Sequence, residues 1–279
     1  MKTIFFFGNC QTGAIKNKLN LNSYDYKIYH EICHITNLNK DEFTDIINKS
    51  DIIITQNIAD NYRGFDYLNL NYILDNSKDK IIIIIPSCYF NFYYPDLKYI
   101  KNNSNTLHDH VDYHYQYMID NFKNNGTVEN YITNYVNNIN LISEEKLLEN
   151  ANNSIKELKN RTQQIKSKLK CQNVHNICIA DFIENNYRDK LLFYSMNHPT
   201  KYIIEYIAQE IIQILNINNN INYNTDVLDN TKCILYKCIQ PLVNFDISKE
   251  KIKTKDQTDV FHITKLYYET YKRIDFEIT

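Results

Sequence analysis

Three short segments carry side chains whose types and spacing could do chemistry. The first is GNCQTG, Gly8 to Gly13, where a thiol stands between two of the chain's 4 glycines. The thiolate is the nucleophilic form of cysteine, and the positive end of a helix lowers a thiol pKa. An apolar strand precedes Cys10 and a helix follows it, so the segment reads as a nucleophile turn. Gly8 is expected to let the backbone turn sharply, and the amides of Asn9 to Gln11 are expected to cradle an oxyanion. The bland alternative is a buried cysteine acting as a small hydrophobe, and position favours the functional reading.

The second segment is MNHPTKYIIEYIA, from Met196. Pro199 disfavours the helical region for His198 and suits the first helical position itself. His198 is therefore expected at the N-cap, where the helix dipole disfavours imidazolium and leaves a neutral base. A thiol at one helix mouth and a histidine at another are the parts of a nucleophile–base dyad; a capping histidine is the bland reading. The third segment is LHDHVDYH, Leu107 to His114. His108, His110 and Asp112 begin a metal-like pattern, but Tyr113 breaks it. His110 and His114 could share a helix face as zinc ligands, yet no partner ligands stand nearby, so no metal is expected. Two further stretches follow strands. Gln56 and Arg63 lie in TQNIADNYRG, where Arg63 could hold a phosphate or carboxylate or form a surface ion pair. Cys88, in PSCYFNFYYPDL, is a rival nucleophile without the glycine turn.

Three phosphate-binding readings of the first segment fail. Gly8 and Gly13 have Walker A spacing, but Ala14 and Ile15 replace the required Lys and Ser or Thr. A tyrosine-phosphatase loop needs Arg where Lys16 stands, and Lys lacks the planar fork. A dinucleotide GxGxxG is absent.

The elements that must position these residues form an α/β pattern. Strands are expected at Thr3–Phe7, Tyr26–His30, Asp51–Thr55 and Lys80–Ile85. Their continuous apolar runs suit a parallel sheet covered on both faces. Helices are expected from the first turn to about Leu19, at Asp41–Lys49 and at Tyr67–Asn76. The middle is helix-rich. Leu148, Ala151, Ile155, Leu158, Ile165 and Leu169 follow a 3,4 spacing after a start near Ser143. Lys201–Leu215 is a second strong helix, and Asn216–Asn224 reads as a loop. The fold class is an open, mostly parallel sheet of about four to five strands with helices on both faces. The chain reads as a single α/β domain over residues 1–279, with residues 217–279 a possible divergent C-terminal appendage.

Composition narrows the function. The 279 residues carry a formal net charge of -2, which argues against a nucleic-acid binder. The 7 cysteines are scattered without a CxxC pair and fit free thiols in a reducing compartment. No apolar run approaches the roughly 18 residues of a membrane span, and no signal-peptide core precedes the first turn. A cytoplasmic protein without membrane insertion is expected.

FFFGNCQTGAI, TQNIADNYRG, NFYYPDL and FYSMNHPT, in this order, resemble the WcbI-type polysaccharide biosynthesis proteins over roughly Lys2 to Leu215. The resemblance implies a coenzyme A or acetyl-coenzyme A co-substrate and O-acetylation of a sugar or nucleotide-sugar acceptor. It implies catalytic roles for Cys10, Gln11 and His198. Gly8, Asn9, Gln56, Asn197 and Thr200 complete the expected oxyanion- and substrate-binding set, and Arg63 is expected at coenzyme A. The nucleophile turn also resembles that of the SGNH hydrolases, with Cys10 in place of serine. Those enzymes place an Asp three residues before the histidine, where this chain has Ser195. An SGNH-like carbohydrate esterase and a non-catalytic coenzyme A-binding protein are the alternatives.

Overall fold

The structure is a computed structural model and describes residues 1–21, 26–99, 113–169, 173–218, 221–224, 226–254 and 258–272. His108, His110, Asp112 and Cys171 lie outside the described residues. In chain order the elements begin with β1 (Thr3–Gly8), α1 (Cys10–Lys18), β2 (Lys27–Ile32), α2 (Lys40–Lys49), β3 (Ile52–Gln56), α3 (Leu70–Asp75) and β4 (Ile81–Ile85). There follow β5 (Leu97–Tyr99), β6 (Tyr113–Tyr115), α4 (Gln116–Lys123), α5 (Val128–Tyr131), α6 (Glu144–Lys168), β7 (Val174–Asn176) and α7 (Ala180–Asn186). The chain closes with α8 (Lys201–Leu215), β8 (Thr231–Lys232), β9 (Lys253–Thr254) and α9 (Val260–Tyr271). They fall into two compact units interleaved along the sequence. The first holds Met1–Cys88, Ile155–Glu184 and Pro199–Val227; the second holds Tyr89–Ser154, Asn185–His198 and Leu228–Thr279. Residues 217–279 are thus divided between the two units at Leu228.

The first unit is built on a five-stranded parallel sheet of order β2-β1-β3-β4-β7. Ile52 to Ile54 pair with Ile81 to Ile83, and Phe5 lies between Tyr29 and Ile53. These runs are apolar at every position because the strands are covered on both faces. Phe5, Phe7 and Ile53 pack with Phe43 and Ile47 of α2 and Ile73 of α3. Ile4, Phe6 and Ile54 are equally buried and, by strand alternation, point the other way. The chain steps outward from β1 to β2 and then back to β3. Right-handed crossovers therefore put α1 and α2 on opposite faces. That reversal makes the carboxyl ends of β1 and β3 the switch point, where such sheets bind ligands.

Local chemistry sets the helix starts. Asn39 and Glu42 form a reciprocal capping box on α2. Ser143 accepts from the Lys146 amide and starts α6, as its position suggested. The fifth strand, β7, is only three residues long, VHN, too short to show a pattern in sequence. α1 and α8 are joined by Lys18, which is 1% exposed and donates to Glu205 at 3.0 Å. Removing one partner of such a pair strands the other charge. Glu205→Leu is expected to lower stability by about 1–3 kcal/mol, discounted for the partial exposure of Glu205. The double change Lys18→Met, Glu205→Leu should recover most of it, read as urea midpoints in a double-mutant cycle.

The second unit is dominated by tyrosine. β5 and β6 pair antiparallel, with Leu97 opposite Tyr115. His114 is therefore on a strand, not on the helix the histidine spacing suggested. It is 1% exposed and its ring packs between those of Tyr267 and Tyr271 of α9. Pairing with β5 overrides the i, i+4 spacing because β6 must satisfy its backbone.

Asp96 anchors this unit. Its carbonyl accepts from the Gln116 amide at 3.0 Å, and Oδ2 accepts from the Tyr117 amide at 3.0 Å, so it caps α4. Oδ2 also accepts from the Tyr236 hydroxyl at 2.8 Å, which meets the Tyr131 hydroxyl at 3.0 Å. Oδ1 is buried with no partner among the described residues. Burial pushes the Asp96 carboxyl up to about 6, against the opposing pull of those hydrogen bonds. A folded-state pKa above the unfolded value contributes stability at low pH, and this is lost as pH rises through about 6. Stability is expected to fall by on the order of 2–3 kcal/mol between about pH 4 and 7 from this group. Asp96→Asn should flatten that slope in denaturation curves taken across the range.

Candidate active site

β1 ends at Gly8 and α1 begins at Cys10, with Asn9 as N-cap. The Asn9 carboxamide accepts from the Gln11 amide at 2.9 Å, and the Thr12 hydroxyl donates to the Asn9 carbonyl at 2.6 Å. Cys10 is therefore the first residue of the helix, half-buried at the carboxyl end of a central strand.

Two glutamines fix this turn from behind. Gln56, the last residue of β3, accepts from the Asn9 amide through Oε1 at 2.8 Å. Its Nε2 donates to Gln11 Oε1 at 3.1 Å and to the Pro86 carbonyl at 3.4 Å. Gln11 pairs with both backbone groups of Cys88: Oε1 accepts its amide at 2.9 Å and Nε2 donates to its carbonyl at 3.1 Å. The ends of β1, β3 and β4 are thus tied through two side chains that are 1% and 2% exposed. Gly8 serves this network by leaving space rather than by an unusual backbone angle. A Cβ there would meet Gln56 Oε1 at 2.7 Å and collide with the Thr12 methyl. Gly13 likewise leaves room for the His30 ring, whose Cε1 would lie 3.2 Å from a Cβ.

These contacts engage groups that were expected to act on a substrate. Gln11 was expected to take a catalytic role, and here its carboxamide pairs with Cys88 and Gln56. Of the amides expected to form an oxyanion hole, Asn9 donates to Gln56 and Gln11 donates to Asn9. Position at a helix start was also expected to lower the Cys10 pKa. Burial instead raises it, outweighing the hydrogen bonds from the Cys10 and Gln11 amides that pull it down, and nearby Cys33 adds to the rise. Burial thus favours the thiol over the thiolate at Cys10, and a nucleophilic role calls for a base. Cys88 is fully buried and its pKa is pushed far above the ordinary thiol value, which leaves it a packing residue.

Other groups surround the strand ends of this unit. His30 on β2 is held down to about 4 by burial and by the neighbouring Lys16 charge. Its Nε2 lies 3.5 Å from the Thr12 hydroxyl. No sequence signal marked it, because the β1–β2 register creates the contact. Arg63 sits in the left-handed region at φ 56°, and its Nη1 donates to the carbonyls of Cys33 at 3.3 Å and Thr36 at 3.0 Å. The guanidinium thereby braces the loop after β2 against the loop after β3.

In the second unit the Tyr194 amide donates to the His198 carbonyl at 2.7 Å and closes a tight turn. Ser195 Oγ accepts from the His198 amide at 3.2 Å and donates to Asn197 Oδ1 at 3.3 Å. Ser195 is thus used by the turn's backbone. Tyr113 donates to the same Asn197 oxygen at 2.5 Å, and its ring stands edge-on to the His198 imidazole with centroids 5.6 Å apart. The N-cap of α8 is Thr200, not His198. Thr200 takes the first helical bonds, from Ile203 and Ile204, through its carbonyl, and is itself buried in the first unit. Pro199 disfavours the helical region for His198, which precedes the N-cap by two residues along the chain. Gly8, Asn9, Cys10, Gln11, Gln56 and Arg63 therefore gather in the first unit, and Asn197 and His198 in the second. Among the described residues no group of three or more His, Cys, Asp or Glu is arranged to hold a metal ion. None of the helices described is long and apolar enough to cross a membrane.

A doubly wound parallel sheet with a thiol opening the helix after its first strand defines an α/β protein with Cys10 at the carboxyl ends of the strands. Residues 3–220 match the family described as polysaccharide biosynthesis enzyme WcbI. The chain belongs to this family. Among solved structures it is similar to that of WcbI itself, a polysaccharide biosynthesis enzyme, at 20% identity and a TM-score of 0.79. The match covers 98% of this chain and 91% of that one. That structure is of the native protein without a disulfide bond between coenzyme A and one of its cysteines. Comparison with curated proteins gives no match.

The glutamine network yields a direct test. Gln56→Leu removes the acceptor of the Asn9 amide and one donor to Gln11. A buried donor without a partner costs about 1–3 kcal/mol. Denaturation should show a loss of that size, and hydrogen exchange should accelerate at the Asn9 amide.

Proposed function

We propose that this enzyme transfers an acetyl group from acetyl-coenzyme A to a sugar hydroxyl during polysaccharide assembly. The observation that carries the reading is Cys10 at the first position of α1, beside the switch point of the sheet. Membership of a polysaccharide biosynthesis family supports the acceptor class. The structurally similar WcbI is named together with coenzyme A and a cysteine, which fits a thiol in this position.

In this reading His198 is the general base. Its role rests on the NHPT motif, not on a distance to Cys10. The raised pKa of the Cys10 thiol makes such a base necessary. The imidazole takes the thiol proton, and the Cys10 sulfur attacks the thioester carbonyl. The tetrahedral intermediate expels the coenzyme A thiolate, which leaves with the proton from the imidazolium. His198 then deprotonates the sugar hydroxyl, which attacks the acetyl-thioenzyme carbonyl; the tetrahedral intermediate expels the Cys10 thiolate, which takes the proton back from the imidazolium. In the simpler route His198 activates the hydroxyl directly and no acetyl-thioenzyme forms. Gln11 and Gln56 hold the turn in both, and Arg63 offers its guanidinium to a phosphate of coenzyme A. The acceptor is a sugar or nucleotide sugar, and the reaction takes place in the cytoplasm.

Coenzyme A and acetyl-coenzyme A, but not ATP, are expected to raise the melting temperature saturably, because selective binding to the native state stabilises it. Cys10→Ala should keep that shift and lose transfer of labelled acetyl. Transfer surviving in Cys10→Ala would eliminate the covalent route and leave the direct one. Turnover of simple esters without coenzyme A would assign the chain to the hydrolases instead.

A further inference from the structure

We propose that Tyr113 is a positioning residue for His198, and that the chain's last helix takes part through Tyr267. The inference rests on the reading of His198 as the base. It concerns only the second unit, where all of these residues lie.

The His198 turn is held at its backbone and at its neighbouring side chain. Tyr194 donates to the His198 carbonyl, Phe90 donates to the Met196 carbonyl at 2.9 Å, and Cys233 donates to the Tyr194 carbonyl at 2.7 Å. These bonds fix where the turn lies, but none of them touches the imidazole. Tyr113 does. Its ring meets the imidazole edge-on, with an interplanar angle of 84°, an arrangement in which a positive ring edge faces a π cloud. Its hydroxyl holds Asn197 Oδ1 at 2.5 Å, and the Ser195 hydroxyl reaches the same oxygen. One side chain therefore contacts both the ring and the residue that precedes it, which limits how the imidazole can swing relative to its own backbone. Placement of a base matters to rate, since misplacement by about 1 Å can cost a reaction on the order of 100-fold.

Tyr113 is itself anchored. It is 4% exposed, it opens strand β6, and its carbonyl accepts from the Tyr267 hydroxyl at 2.7 Å. Tyr267 belongs to α9, beyond the 3–220 segment that matches the family. The neighbouring His114 ring also packs against Tyr267 and Tyr271. The C-terminal helix thus fixes the strand from which Tyr113 reaches the histidine. This assigns a catalytic consequence to a part of the chain in which no motif is visible.

The test uses the full chain and reads release of free coenzyme A thiol from acetyl-coenzyme A. The variants are Tyr113→Phe, Tyr113→Leu, Tyr267→Phe, His198→Ala and the double change of Tyr113→Leu with His198→Ala. Tyr113→Phe keeps the ring and loses the hydroxyl; Tyr113→Leu loses both. Tyr113→Leu is expected to lower kcat roughly tenfold or more, with Tyr113→Phe and Tyr267→Phe in between and KM for acetyl-coenzyme A unchanged in all three. If Tyr113 acts through His198, the double variant is no slower than His198→Ala alone. Multiplied losses in the double variant would mean a general structural effect and overturn the proposal. Wild-type kcat in folded Tyr113→Phe and Tyr113→Leu, beside an inactive His198→Ala, would overturn it while sparing the base. Full turnover in His198→Ala would overturn the base reading and this inference together. Should Tyr113→Leu fail to fold, Tyr113→Phe combined with His198→Ala gives the same comparison.

Discussion

The hydrogen bonds of Gln56 and Gln11 are the constraint on which the turn at Cys10 depends. Parallel strands end with backbone groups that have lost their ladder partners, and each buried one must find another. Gln56 supplies an acceptor for the Asn9 amide, and Gln11 supplies both halves of the pairing that Cys88 requires. One carboxamide then bonds to the other. The carboxyl ends of β1, β3 and β4 are therefore locked together by side chains, and the start of α1 is set by the same bonds. Gly8 follows from this arrangement, since any side chain there would occupy the place of the Gln56 carboxamide.

The same burial that makes the network strong decides the state of the thiol. A helix N-terminus and two amide hydrogen bonds favour the thiolate, and desolvation opposes it. Desolvation prevails because the field at a helix end is a partial charge, while burial removes water from a full one. The balance at Cys10 therefore lies toward the thiol.

The second unit solves a different problem with a different residue. It has little regular sheet, with β8 and β9 two residues each, and it is held by tyrosine hydroxyls that reach backbone and carboxylate acceptors. Tyr94 donates to the Phe193 carbonyl, Tyr93 to the Lys190 carbonyl, and Tyr236 to Asp96. A buried tyrosine gives apolar area and one directed bond together, which suits a unit assembled from three separate stretches of chain. The over-use of tyrosine, 24 residues in all, reads in sequence as a compositional bias and in the structure as the material of this scaffold.

The sequence by itself determined the sheet, because runs such as IIIII from Ile81 and IFFF from Ile4 are apolar at every position and only a doubly covered strand buries them all. It determined Cys10 at a strand-to-helix turn, because the apolar run, Gly8 and the helical segment that follows are neighbours along the chain. It also determined the helix after Pro199, from a clean 3.6-residue stripe that begins at Ile203. What lay between distant residues was decided by tertiary structure alone. The Gln56–Gln11–Cys88 network joins three strand ends, the contact of Tyr113 with His198 spans most of a hundred residues, and Tyr267 reaches back from the last helix. His198 left the expected N-cap because the Tyr194 and Ser195 bonds close a turn before the helix can start. Local patterns report the local preferences of the chain, whereas hydrogen-bond partners and desolvation depend on which segments packing brings together.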